Sequence, residues 1–244
     1  RQMCIRDRSY LAFVRMARRT IIANWKMHGN QAQAVALAHD VRRRLGDHFP
    51  GIDVVLAPPL TSLETVRHTI KGSHLLLSGQ NLHSQPEGAF TGEISANMLR
   101  DAGCSHVIVG HSERRRRFGE TNNDIRQKLA AALASDLKPV LCIGETLGER
   151  RAAQTRRVLS GQLSGALKGT SKGVNESLTV AYEPVWAIGT GLTASPTDAQ
   201  AAHAQKKVQW KRVGTTKQEP CHEIFDEMLA GALSKKAEEK KLEI

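Results

Sequence analysis

Three reactive side chains lie at or just past the ends of β-like runs. Lys26 follows Thr20–Asn24, His111 follows His106–Gly110, and Glu183 closes Leu178–Glu183. A carboxylate, an imidazole and an ammonium at one end of a parallel sheet suit proton movement beside a carbonyl. The carboxylate takes a carbon-bound proton, the imidazole passes a proton to oxygen, and the cation stabilises the developing oxyanion. One such residue alone reads more readily as structural; three, on the first, fourth and sixth strands, favour a site. After Glu183, Pro184-Val185-Trp186 is stiff, Ala187-Ile188 is apolar, and Gly189-Thr190-Gly191 is flexible. That is the composition of a lid on two hinges that excludes water. An ordinary loop with turn glycines has the same composition, which leaves both readings open.

The elements that must position these residues alternate in type. Thr20–Asn24, Ile52–Pro58, Leu75–Gly79, His106–Gly110, Pro139–Gly144 and Leu178–Glu183 are short apolar runs that read as strands. Between them lie helical patterns: the stripe Ala34, Ala38, Val41 and Leu45, then Thr61–Ile70, Ile94–Ala102, Asn122–Ala134 and a long helix Thr146–Leu167. A further helix starts near Pro196-Thr197-Asp198. The six units repeat at about 31 residues each, the mark of βαβ crossovers and a parallel sheet covered on both faces. Such regular alternation favours a closed (β/α)8 barrel over a doubly wound sheet, with reactive groups at the C-terminal ends of the strands.

Only 39 residues follow Gln205, too few for two more units at that spacing. Val208–Val213 is a weak strand candidate. Phe225, Met228, Leu229, Ala232 and Leu233 mark an amphipathic helix. The expected architecture is therefore an incomplete (β/α)8 barrel: residues 16–205 form six units and 206–244 a divergent, mostly helical tail. Residues 1–15 show no helix or strand period and no cleavage pattern. They read as a disordered extension before a start at Met16, with an Arg-rich organellar presequence as the rival.

Composition narrows the function classes. The 244 residues carry a net charge of +11, which invites a nucleic-acid reading, but that charge is dispersed. Aromatic residues make up only 4%, too few for the stacking platforms that single-stranded nucleic acid needs. A mildly basic surface that attracts small phosphorylated anions explains the charge equally well. No apolar run approaches the ~18 residues of a membrane span. Cys4, Cys104, Cys142 and Cys221 are far apart, without metal-ligand spacing, and read as reduced thiols of a cytoplasmic protein. No metal or organic cofactor is indicated: there is no ligand cluster, no GxGxxG and no GxxxxGK[ST].

Three segments together resemble the signatures of the triosephosphate isomerase family. They are Asn24-Trp25-Lys26-Met27, Gly110-His111-Ser112-Glu113-Arg114-Arg115 with Phe118-Gly119-Glu120, and Ala181-Tyr182-Glu183-Pro184-Val185-Trp186-Ala187-Ile188-Gly189-Thr190-Gly191. The resemblance spans about residues 17–205 and implies a TIM-barrel enzyme of glycolysis and gluconeogenesis, without cofactor. It implies that Glu183 is the base and His111 a neutral electrophile, with Asn24 and Lys26 binding substrate and Glu113 in support. Gly189 would give a backbone N–H to the substrate phosphate. Gln80–Glu93 resembles the loop that joins two subunits, with Thr91 reaching the neighbouring site of a homodimer. The arginines of Arg114–Arg117 then read as structural and surface residues.

The departures from the family are equally specific. Its seventh strand ends in Tyr-Gly-Gly-Ser and its eighth carries Gly-Gly, and neither has a counterpart after Gln205. Hydrogen bonds to a charged group contribute roughly 1.5–3 kcal/mol each. Losing about three such donors predicts catalysis weaker by roughly a thousandfold to a millionfold. The alternative reading is a non-catalytic, truncated or chimeric remnant of an isomerase.

Overall fold

The computed structural model describes residues 19–46, 51–170, 177–188 and 191–205. Six strands alternate with helices: β1 (Arg19–Asn24), β2 (Ile52–Ala57), β3 (Leu76–Gly79), β4 (His106–Val109), β5 (Lys138–Ile143) and β6 (Thr179–Tyr182). They form one sheet in chain order, and every neighbouring pair is parallel. Each expected strand is present, shifted by at most one or two residues at its ends.

Side-chain alternation gives the sheet two apolar faces. Leu56, Val107, Val109, Leu141 and Ile143 join the large cluster that packs against the helices. Their neighbours Ala57, Ile108 and Cys142 turn the other way and meet Ile22 and Ala181 in a smaller inner cluster. Ala57, Cys142 and Ala181 are small, which leaves room on the inner face of a curled sheet. In a flat sheet β1 and β4 would stand about 14 Å apart, yet Lys26, just past β1, reaches Glu113, just past β4, at 2.8 Å. Among the described residues no ladder joins β6 to β1, so six units of an incomplete (β/α)8 barrel are seen.

The helices begin where polar caps stand. Asn30 with Gln33 opens α1 (Gln31–Leu45), and its buried Ala34 and Ala38 lie on the expected stripe. A single 3-10 turn at Leu60–Ser62 leads into α2 (Leu63–Thr69). Ser95 caps α3 (Ala96–Asp101), which is shorter than the expected Ile94–Ala102. A short α4 (Ser112–Arg117), unforeseen in the sequence, follows β4 directly. Thr121 with Asp124 opens α5 (Asn122–Ala134).

The long helix expected over Thr146–Leu167 is instead two: α6 (Leu147–Arg151) and α7 (Thr155–Leu167). Ala153 between them takes a left-handed conformation, φ 55°. Alanine favours helix, so tertiary contacts override local propensity here. Arg150 at the end of α6 donates to Glu145, pairs with Asp198, and stacks its cation 4.3 Å from the Trp186 ring. At the break itself, Ala153 N–H donates to Arg150 O and Gln154 N–H to Glu149 O. The last described helix, α8 (Pro196–Gln205), starts where expected.

No helix among the described residues is long and apolar enough to cross a membrane. Residues 1–15, Met16, Gly189 and the tail 206–244, with its amphipathic pattern at 225–233, lie outside the described residues.

Candidate active site

The inner-face parity that carries Ile22, Ala57, Cys142 and Ala181 also carries Asn24, at the end of β1, and Glu183, just past β6. These side chains therefore emerge at the C-terminal mouth of the sheet. Four of the expected residues line up there in one chain of contacts. Lys26 Nζ donates to Glu113 Oε1 at 2.8 Å. The other Glu113 oxygen, Oε2, lies 3.6 Å from His111 Nδ1. His111 Nε2 lies 2.7 Å from Glu183 Oε1, and Ser112 N–H donates to Glu183 Oε2 at 2.8 Å.

His111 caps the short helix α4, and its Nδ1 accepts from Glu113 N–H at 3.3 Å. An Nδ1 that accepts cannot also carry a proton, so Nε2 holds it and the ring faces Glu183 as a neutral donor. The side chains of His111 and Glu183 are 11% and 14% exposed. Their mutual bond is therefore sheltered, whereas Lys26 and Glu113, 37% and 40% exposed, face the solvent side. The bond from Lys26 holds the Glu113 carboxyl below the usual range, helped by the Lys26 and Arg117 charges.

Lys26 is held in a rare backbone conformation, φ 51°. Its N–H donates to Asn24 Oδ1 at 2.9 Å, and Gln80 Nε2 donates to the carbonyls of Lys26 and Ala57, both at 2.8 Å. A non-glycine residue in this region carries strain that its surroundings must offset, and these bonds fix where the ammonium stands. Asn24 therefore sits in the site through the Lys26 backbone.

Arg115 braces the other side of the mouth. Its guanidinium donates to Gly110 O at 2.8 Å, Asn122 Oδ1 at 2.8 Å and Cys142 O at 3.2 Å. One side chain thus ties the ends of β4 and β5 to the start of α5. Cys142 is buried, and burial, reinforced by the Glu183 charge, pushes its thiol well above the usual range.

Behind Glu183 the loop forms a 3-10 turn, Val185–Ala187, with Val185 and Trp186 buried. Tyr182 Oη donates to the fully buried Glu145 at 3.0 Å. Burial and that carboxylate push the phenol up to about 12, against a bond from Trp186 that holds it down. The first hinge of the expected lid is thus anchored to β6, α6 and α8.

A cavity of about 340 Å³ opens beside Lys26, His111 and Glu113; Met27 and Phe118 lie on its wall, 93% and 67% exposed. Glu183 does not line it. Thr91 is exposed on the loop after β3, and the structure does not bring it into that chain of contacts.

Gln80, Arg115, Gln162 and Glu145 were not singled out in the sequence as positioning residues. Gln80 stands at a strand end, where the rule that found His111 points to it as well. Gln162 was legible as a polar residue set in the apolar stripe of Leu159, Leu163 and Ala166. Arg115 had no signal to part it from its three neighbouring arginines.

Comparison with known proteins agrees with these signatures. A family profile described as triosephosphate isomerase matches residues 19–222, running on past Gln205. A triosephosphate isomerase of Magnetococcus marinus is 49% identical over 191 residues, covering 78% of this chain and 75% of the relative. One from Herpetosiphon aurantiacus is 46% identical over 194 residues, covering 80% and 77%. One from Pelodictyon phaeoclathratiforme is 39% identical over 224 residues, covering 86% and 88%.

Proposed function

Because the chain belongs to the triosephosphate isomerase family, we propose that it interconverts dihydroxyacetone phosphate and D-glyceraldehyde 3-phosphate through an enediolate. The observation that carries this reading is the chain Lys26–Glu113–His111–Glu183 at the mouth of the sheet. Without substrate, Glu183 accepts from His111 Nε2 and from Ser112 N–H. A bound substrate replaces the first bond: its carbonyl oxygen takes the Nε2–H, and its acidic C–H meets the freed carboxylate. Glu183 takes the proton from one carbon, and the electron pair moves onto the oxygen bonded to Nε2–H. The hydroxyl proton of the first carbon passes to that oxygen by way of His111, and Glu183 gives its proton, or one exchanged from solvent, to the neighbouring carbon as the first carbon's C=O forms. Nothing is oxidised overall, and no cofactor takes part.

The neutral imidazole suits this work because it gives a hydrogen bond to an oxyanion and recovers its proton at each turnover. Lys26, aimed by Glu113 and by its strained backbone, puts a positive charge where oxyanion charge builds up. Asn24 fixes the Lys26 amide and faces the same space. Gly189 would donate its N–H to the phosphate as the lid closes.

We also infer a homodimer working in the cytoplasm, within glycolysis and gluconeogenesis. The exposed Met27 and Phe118 beside the cavity, and the exposed loop after β3, support a second copy seated there with Thr91 near the partner's site. Membrane and nucleic acid are not partners in this reading.

Steady-state assay of both triose phosphates tests the proposal. The wild-type chain is expected to turn over and Glu183→Gln to lose at least about a thousandfold in kcat. A folded wild-type sample no faster than Glu183→Gln would instead support a non-catalytic remnant.

A further inference from the structure

The Glu183 carboxylate has its own bonds, but its backbone must also be held, because a shift in the main chain moves the base with it. That backbone lies against β5. Glu183 N–H donates to Ile143 O at 2.8 Å. The next residue, Gly144, approaches so closely that a Cβ there would stand 1.8 Å from Glu183 O. The Glu183 main chain is therefore seated on the Ile143–Gly144 peptide and on the bare Cα of Gly144.

What holds that peptide comes from a helix. Gly144 N–H donates to Gln162 Oε1 at 2.9 Å, and Gln162 Nε2 donates to Gly144 O at 3.0 Å. The Ile143–Gly144 amide plane thus has Gln162 on its N–H and Glu183 N–H on its carbonyl. Bonds through one peptide polarise each other in the same sense. The second Gln162 bond fixes the next peptide plane, so both planes around Gly144 Cα are set by one side chain. Gln162 lies on α7 beside the buried Leu159 and Ala166, on a helix anchored in the core rather than in the loop that carries the lid.

We propose that Gln162 is a positioning residue for the catalytic base: it clamps the Gly144 peptides that seat the Glu183 backbone. The inference rests on the reading of Glu183 as the base. Its role is distinct from packing, since a primary amide is the neutral side chain that can both accept from Gly144 N–H and donate to Gly144 O.

The test compares wild type with Gln162→Ala, Gln162→Glu and the packing control Leu159→Ala. For each, the measurements are thermal unfolding, kcat and KM for both triose phosphates, and NMR hydrogen exchange of the Ser112 and Glu183 amides. Gln162→Ala is expected to lower kcat by about 10- to 100-fold with KM changed by less than about threefold. Its Ser112 and Glu183 amides should exchange at least about tenfold faster relative to Val107 and Val109. Gln162→Glu keeps the acceptor and, when ionised, loses the donor, so its kcat should fall between those of wild type and Gln162→Ala. Leu159→Ala should lower the unfolding temperature while leaving kcat and the two relative exchange rates near wild type. The inference is overturned if Gln162→Ala keeps wild-type kcat and amide protection, or if Leu159→Ala reproduces its losses. An inactive wild type would sink the catalytic reading alone, because the exchange rates still decide whether Gln162 holds Glu183.

Discussion

Replacing Gly144 by alanine places the smallest side chain against the backbone of Glu183, the proposed base. The new Cβ would stand 1.8 Å from Glu183 O, where ordinary van der Waals contact begins at 3.4 Å. The two segments must therefore separate by about 1.6 Å, and a misplacement of about 1 Å costs on the order of a hundredfold in rate. Gly144→Ala should lower kcat by at least about a hundredfold, and the overpacking should destabilise the fold by about 1–3 kcal/mol. Substrate binding groups stay in place, so KM should move far less. Gly161→Ala is the matched control on α7, with nothing within 4 Å of its added Cβ; it should keep kcat and gain up to about 1 kcal/mol. Steady-state kinetics and urea unfolding measure both. A Gly144→Ala enzyme within about threefold of wild-type kcat would refute the idea that this contact sets the base.

Three further outcomes follow from the same geometry. His106 is buried, and burial with the Lys138 charge lowers its imidazole to about 4. The ring is neutral in the fold while the unfolded chain takes up a proton below about pH 6.5, so stability falls between about pH 7 and pH 4.5, by about 2.5 kcal/mol from this group. Urea unfolding at the two pH values should show that part of the loss in wild type but not in His106→Phe; equal losses in both would contradict it. Glu113→Gln should change stability by less than about 1 kcal/mol, the pair with Lys26 being half exposed, yet lower kcat by on the order of tenfold because Lys26 loses the carboxylate that aims its charge. Arg115→Lys should destabilise by about 3 kcal/mol in urea, since an ammonium cannot keep all three bonds of the buried fork.

Much of the fold was legible because its signals are local. The six strands stand out as short apolar runs, and the stripe of Ala34, Ala38, Val41 and Leu45 marks α1 by its helical spacing. The break at Ala153 was not legible, because alanine favours helix, and the partners of the neighbouring Arg150, Asp198 and Trp186, lie some 36 to 48 residues away in the chain. Strand ends supplied Lys26, His111 and Glu183 by position alone, and the segments around them supplied the family. The sequence held no sign of how the four polar residues would be ordered. That Glu113 would lie between Lys26 and His111 follows from the curl of the sheet and from α4 starting at Ser112. Gln80 and Gln162 stand out by position, at a strand end and in an apolar stripe, but the sequence does not show what they bond. Their partners are carbonyls and amides, which every residue has.

The central claim is that Glu183 moves a carbon-bound proton at this site. Its most direct test is turnover of D-glyceraldehyde 3-phosphate in deuterium oxide, with the product followed by proton NMR. The account predicts dihydroxyacetone phosphate carrying deuterium at the carbon that gains the proton, formed by wild type and not by Glu183→Gln. Product formed equally fast by the variant, with or without deuterium, would contradict it.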